Sequence, residues 1–427
     1  MVIIKSSTLA QCLLMMLSKM PVNKIIPKLT GGAIIANIVP FIALPFMLNE
    51  FTVSEFGEVT IFFSFVLILS QTVTLKFDQA ILVAQSIYEV RRLLGLSIYL
   101  SSIITVSLTI IFIIINSVMA ITSISLILLT SASIMINTFI ICQQNIANYK
   151  LSTFQMNLFF LTPIVSYPII ALIIGSSTRS IINPLILSKI LSLLITLIII
   201  LFISKVCFSK GTISELKKIA ITYASYPKAI LPSKLLNLFS VNGINFLIPL
   251  LFSTTELGYF NISRTILKIP EAVISRPLEN FLRRSSYKDS KLDILKFKKE
   301  YSKYFKYILA LSAAGLFIYY FIYFFGFEWL INVFPDWEKT FIISNILVWT
   351  YLISTIITPF MSSFRILKEE KLELYFQLSL LAALAIFFLI SISLKQSFVD
   401  SVMTFTLVRI ISYLYCGKLI LETIKKN

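Results

Sequence analysis

Apolar stretches long enough to cross a bilayer recur along the whole chain, each followed by a short polar segment. A helix needs roughly 17 to 25 mostly apolar residues to traverse the roughly 30 Å hydrocarbon layer. Windows of that kind fall at 29–49, 57–77, 93–115, 119–142, 152–174, 181–204, 223–251, 257–278, 305–326, 340–362, 372–393 and 398–420. The pattern predicts an all-α integral membrane protein with about twelve transmembrane helices. The eighth window is the least uniform, because Arg264, Lys268, Glu271 and Arg276 interrupt it. It reads either as a polar face lining a cavity or as a helix lying in the interface.

The polar segments differ in sign. Segments 76–92, 143–151, 205–222, 279–304 and 363–371, with the two termini, carry most of the 37 basic residues. The intervening segments hold Glu50, Glu55, Glu58, Glu256, Glu328, Asp336, Glu338 and Asp400 against Arg179, Lys339 and Lys395. Positive-inside bias then puts both termini in the cytoplasm and favours an even number of spans.

Composition agrees. The chain has 427 residues, of which 57% are hydrophobic and only 13% charged, with a mean hydropathy of +0.91. So few charges cannot cover a soluble protein of this size. The formal net charge of +17 would suggest nucleic acid in a soluble protein. Here loop placement accounts for it, and no nucleic-acid partner is expected. Lys5, Lys19, Lys24 and Lys28 flank an apolar start with no small-residue cleavage motif, which reads as a cytoplasmic lead-in.

Candidate chemistry is sparse. Histidine is absent, and Cys12, Cys142, Cys207 and Cys416 are scattered, which argues against metal, cofactor and disulfide. No phosphate-binding glycine loop and no hydrolase motif occurs, so an enzyme is not expected. Trp329 and Trp337 read as interfacial anchors on the acidic side. The segment 205–222 divides the chain into residues 1–207 and 208–427, two sets of six spans, with the basic segment 279–304 resting on anionic headgroups. Two bundles rocking around a central cavity is a common plan for transporters.

Ionisable groups inside the windows carry the most information, because hydrocarbon is a costly place for charge. Asp78 stands beside Lys76. Lys228 and Lys234 enter the seventh window, with Asn237, Asn242 and Asn245 further along. Arg264 and Lys268 share a helical face at i,i+4, and Glu271 lies three residues beyond Lys268. Lys189 and Arg409 extend the set. Surplus cations in a polar cavity suit a phosphate-bearing or otherwise anionic solute; snorkelling of each residue separately is the alternative.

Several short motifs occur in order along most of the chain: Gly31–Gly32 through Pro45, then Phe56–Gly57, then Leu75-Lys76-Phe77-Asp78-Gln79-Ala80-Ile81. Tyr226–Pro227, Pro232-Ser233-Lys234-Leu235-Leu236-Asn237, Leu257-Gly258-Tyr259-Phe260 and Ile269–Pro270 follow. Phe325–Gly326, Trp329 and Pro359 to Lys371 complete the series. Together they resemble the polysaccharide biosynthesis family, the O-antigen and lipid-linked oligosaccharide flippases of the multidrug and polysaccharide exporter superfamily. Lys76 stands where that family often has arginine, which keeps charge but alters hydrogen bonding.

The resemblance implies a flippase of the bacterial inner membrane that moves an undecaprenyl-diphosphate-linked oligosaccharide from the cytoplasmic to the periplasmic leaflet by alternating access. It implies substrate contacts from Lys76, Lys234, Asn237, Asn242, Arg264, Lys268 and Arg409. Asp78 and Glu271 become candidate coupling or gating carboxylates for a proton or sodium gradient. Membrane lipids are partners, and the glycan polymerase and chain-length machinery are candidates. A cation-coupled exporter of small amphipathic compounds and a non-transporting scaffold for glycan assembly are the alternatives.

Overall fold

The computed structural model describes residues 39–119, 123–175, 182–204, 212–271, 294–367 and 369–426, with positions 275, 278–279, 282, 287–288 and 291–292. The N-terminal lysines, the start of the first window, Arg179, Lys205, Lys210, Arg276, Cys12 and Cys207 lie outside them. The fold is all-α and multi-pass. Among the described residues nine helices are long and apolar enough to cross a membrane, or ten if one bent pair is a single span.

In the first half the helices are α1 (Val39–Glu50), α2 (Val53–Ser70), α3 (Ile87–Met119), α4 (Ile124–Tyr149), α5 (Thr153–Ile174) and α6 (Pro184–Ile203). A short α7 (Ile213–Thr222) leads to α8 (Leu231–Asn242), α9 (Ile244–Leu251) and α10 (Thr254–Leu267). A two-residue antiparallel ribbon, β1 (Tyr287–Lys288) with β2 (Lys291–Leu292), precedes α11 (Ile294–Val333). Then come α12 (Glu338–Ile357), α13 (Glu370–Ser393) and α14 (Phe398–Lys426).

Helix starts follow local chemistry. Thr52 and Glu55 form a reciprocal capping box on α2, and Thr212 and Glu215 do the same on α7. Asn183 caps α6 ahead of Pro184, whose missing N–H costs nothing at the first position. Many hydroxyls within spans return to their own helix, as Thr60 to the Phe56 carbonyl (2.7 Å) and Thr196 to Ser192 (2.7 Å). That satisfies them where no water is available.

Three expected boundaries shift. The second window does not run to residue 77: α2 stops at Ser70, and a turn with Leu75 and Lys76 at φ 50° and 66° leads to the one-turn helix Phe77–Ala80. The seventh window is broken, the axis bending 44° between Tyr226–Asn242 and Ile244–Leu251. The break falls at Gly243 and not at Pro227, Pro232 or Pro249. Finally, α3 begins at Ile87, ahead of its window, and its first turns pack against the short helix α7.

In the first half α2 packs on α4 and α6, α5 on α6, and α3 on α4; in the second, α12 packs on α10 and α14, α13 on α14, and α8 on α13. The main contact between the halves is α2 against α10. A core around Phe56, Val59, Phe62, Leu185 and Ile190 supports one side of it, and Phe260, Leu347, Phe387 and Phe405 support the other.

Candidate functional site

The α2–α10 contact forms a seam whose ends differ in charge. The acidic end, where α2 and α10 both start, is tight. A Cβ on Gly57 would sit 1.9 Å from the Thr254 carbonyl oxygen, and one on Gly258 would sit 2.0 Å from that of Val53. Only glycine allows the two backbones to approach so closely. Beside them Trp337 donates its indole N–H to the Leu48 carbonyl (3.0 Å) and meets Phe56 edge to face (5.3 Å). Tyr259 donates to the Asp336 carbonyl (3.2 Å), and Lys339 pairs with Glu256. Trp337, read as an interfacial anchor, is 2% exposed and ties α1 to the second half, so that reading is corrected. Trp329's side chain lies outside the described residues.

Two hollows of about 600 and 350 Å³ open at this end, one between the α1–α2 turn and residues Pro335 to Lys339, the other between Phe252 and the α13–α14 turn. Neither is lined by Lys76, Lys234 or Arg264.

In its last turn, towards the other end of the seam, α10 places Arg264, 8% exposed, against the broken span. Its guanidinium donates to Asn245 Oδ1 (3.1 Å) and to the Val241 carbonyl (3.4 Å). Asn245 in turn donates to Ser64 on α2 (2.7 Å), so one chain of bonds crosses from half to half. Both acceptors of Arg264 are neutral, and a guanidinium has five N–H donors. Behind it Tyr351 lies within electrostatic reach of Arg264, Arg409 and Glu271. Glu271 accepts from Ser354 (2.9 Å). Arg409 lies near the rings of Phe405 (5.3 Å) and Tyr413 (5.8 Å), its Nε buried and unbonded among the described residues. Lys268 is half-buried at the C-terminus of α10, its amide closing on the Arg264 carbonyl (3.1 Å).

At the basic end Lys76 is 1% exposed and lies within electrostatic reach of Asp78 and of Lys234 from the second half. Asp78 is as deeply buried and accepts from Thr74 and Asn145. Asn237, half-buried, offers its carbonyl to Ser240 (2.9 Å), while Asn242 donates its amide to its own helix at Leu238 (3.1 Å). Six of the seven charged site residues expected from the sequence thus fall into two groups, Arg264 with Arg409 and Glu271, and Lys76 with Asp78 and Lys234, while Lys268 lies at the end of α10. Sequence reading missed Ser64, Asn145, Tyr351 and Ser354. The amides of Gln143, Gln144 and Asn145 inside an apolar run are a signal for Asn145; serine is too common in these spans to mark Ser64.

A model of the polysaccharide biosynthesis protein family matches residues 47–334, more than half of the chain. The chain belongs to that family. The match covers the seam, from the α1–α2 turn through Arg264 to the end of α11.

Solved structures share the fold over nearly its full length. They include the lipid II flippase MurJ in an inward closed conformation (13% identity, TM-score 0.63, 93% of this chain and 88% of that one). The MATE multidrug transporter DinF-BH, solved as a complex, is similar (14% identity, TM-score 0.61, 94% and 96%). So is a MOP superfamily transporter from Pyrococcus furiosus (14% identity, TM-score 0.57, 94% and 96%). At such identities the likeness establishes the fold alone. No curated protein matches the chain. Among the described residues no cluster of His, Cys, Asp and Glu is placed to hold a metal ion.

Proposed function

We propose that this family member is a flippase that carries an undecaprenyl-diphosphate-linked oligosaccharide from the cytoplasmic to the periplasmic leaflet of a bacterial inner membrane. The observation that carries this reading is Arg264: a guanidinium buried between the broken span and its own helix, whose hydrogen bonds, among the described residues, go to neutral oxygens. Such a group has donors to spare for an anion, and a diphosphate is the anion that a lipid-linked glycan presents. Family membership supplies the glycan context.

In this reading α1, α10 and the bent pair α8–α9 complete a set of twelve spans with both termini cytoplasmic. Residues 1–207 and 208–427 form two six-helix bundles that part along the α2–α10 seam to open a central cavity. Lys76 and Lys234 receive the diphosphate at the basic end and Arg264, Lys268 and Arg409 hold it further in. Asn237 and the side-chain oxygen of Asn242 face glycan hydroxyls. The lipid tail stays in the bilayer, so the protein lowers the cost of taking a polar headgroup through hydrocarbon, with no covalent step. Asp78 and Glu271 are the carboxylates available for coupling to a proton or sodium gradient. The polymerase and chain-length machinery would receive the product.

Purified protein in liposomes with a fluorescent undecaprenyl-diphosphate-linked trisaccharide tests this. Arg264→Ala should cut translocation about thirtyfold at unchanged abundance, the worth of a hydrogen bond to a charged group. Full transport by that variant removes Arg264 from the mechanism. Export of an amphipathic drug with no glycan movement would favour the exporter, and neither activity in folded protein would favour the scaffold.

A further inference from the structure

The turn that carries Lys76 is built against the preferences of its residues. Leu75 and Lys76 both adopt positive φ, 50° and 66°, a region in which a side chain is strained and glycine is the ordinary occupant. Neither position is glycine, so something must hold the turn. Thr74 Oγ1, 0% exposed, donates to Asp78 Oδ1 and accepts from the Lys76 amide (3.2 Å). From the neighbouring helix α4, Asn145 Nδ2 donates to both the Asp78 carbonyl (3.0 Å) and its Oδ2 (3.2 Å). Asp78 is thereby bonded at both carboxylate oxygens and at its backbone, on the one-turn helix that follows the strained pair.

Persistent strain of this kind needs surroundings that over-determine it, and it gathers where a side chain must be aimed. The side chain delivered here is an ammonium 1% exposed, within electrostatic reach first of Asp78 and then of a second ammonium, Lys234, from the other half. Asp78 offsets part of the repulsion between the two ammoniums, and an anion arriving beside them would be drawn by both. A relaxed turn, with Lys76 extended to the headgroups, would avoid the repulsion. The structure instead fixes Lys76 in place.

We propose that Asn145 and Thr74 are positioning residues: through Asp78 they clamp the left-handed Leu75–Lys76 turn and so aim Lys76 at the anionic group of the cargo shared with Lys234. This rests on the flippase reading above for the identity of the cargo, and on the turn geometry alone for the clamp. Asp78 on this account anchors the turn. Lys76 and Lys234 form the entry contact for a diphosphate.

The test combines a cargo-independent and a cargo-dependent measurement on the full chain. Hydrogen exchange at the amides of Leu75 to Phe77 should speed up at least about tenfold in Asn145→Ala. In the liposome assay Asn145→Ala should raise the KM for the fluorescent diphosphate-linked trisaccharide about five- to tenfold with little change in kcat, as expected for contacting residues. It should add nothing further in a Lys76→Gln background. Leu75→Gly, which relieves the strain at one of the two positions, should restore much of the Asn145→Ala loss. Unchanged exchange, or losses that multiply in the double variant, overturns the clamp. Faster exchange with Lys76→Gln silent in transport keeps the clamp and overturns the cargo reading instead.

Discussion

The two ends of the α2–α10 seam are closed by opposite means. At the acidic end backbone meets backbone: Gly57 and Gly258 leave no room for even a Cβ, and Trp337 packs over the joint at 2% exposure. At the basic end the halves bring together charged side chains, Lys76 and Lys234, steadied by Asp78. The first kind of contact is short-range and steric, so it is either made or broken. The second is electrostatic and sets like charges near one another, so a bound anion would strengthen it. In the flippase proposed above, the steric end would serve as a gate and the charged end as the receptor for the anion.

The largest expected effect comes from spoiling the steric end. Gly258→Val places a branched side chain where a Cβ would already lie 2.0 Å from the Val53 carbonyl oxygen. The helices must separate, at a cost of about 3 kcal/mol by the usual range for overpacking. Spread over a two-state opening, that is roughly a hundredfold shift in population. The variant should lose transport and expose a cysteine placed at Thr60, buried one turn along α2 from Gly57, to a membrane-impermeant thiol reagent. Normal transport with the cysteine at position 60 still protected would show that the glycine contact is not a gate.

Trp337→Ala acts on the same end more mildly. It removes one indole hydrogen bond to Leu48 and edge-to-face contacts with Phe56 and Tyr259, together about 2 kcal/mol. About a thirtyfold shift toward opening should follow, read as a longer distance between spin labels on α1 and α12. Trp337→Phe should keep the ring contacts, lose the hydrogen bond and fall between the two. If the label distance does not move, Trp337 only fills space.

How much of this could be read beforehand depends on the range over which each property is encoded. The spans were legible because bilayer thickness imposes a length on composition: α4, α5, α6 and α11 to α14 lie within a few residues of their windows or extend beyond them. Arg264 was legible too, since charge in an apolar run has to be explained. Its setting was not, because Asn245 and Ser64 are 181 positions apart in sequence and meet only when the halves do. The left-handed turn at Leu75 and Lys76 was invisible for a different reason: it contains no glycine, and its cause is Asn145 on another helix. Trp337 was misplaced because an aromatic residue near a span end fits a lipid anchor equally well until packing is known.

The smallest effect expected concerns the linker at the basic end, where side chains and not backbones join the pieces. Helix α7 lies on the first turns of α3: Arg92 pairs with both oxygens of Glu215, Tyr88 donates to the same carboxylate, and Tyr223 donates to Glu89 (2.8 Å). The Glu215 carboxyl is held below its ordinary range, first by the Thr212 amide and hydroxyl of the capping box and then by Arg92 and Tyr88. A depressed acid favours the docked form at every pH above the unfolded value of about 4.3, and that advantage disappears as pH falls through the lower docked value. Docking should therefore be flat from neutral pH down to about 5 and weaken only in stronger acid. Proteolysis of the 205–222 segment, followed against pH, reads this directly. Glu215→Gln should loosen the linker slightly at pH 7 and flatten the acid limb, because water reaches the Glu215 side of the pair and screens it. A linker that loosens between pH 8 and 6, in a chain without histidine, would place the controlling group somewhere other than Glu215.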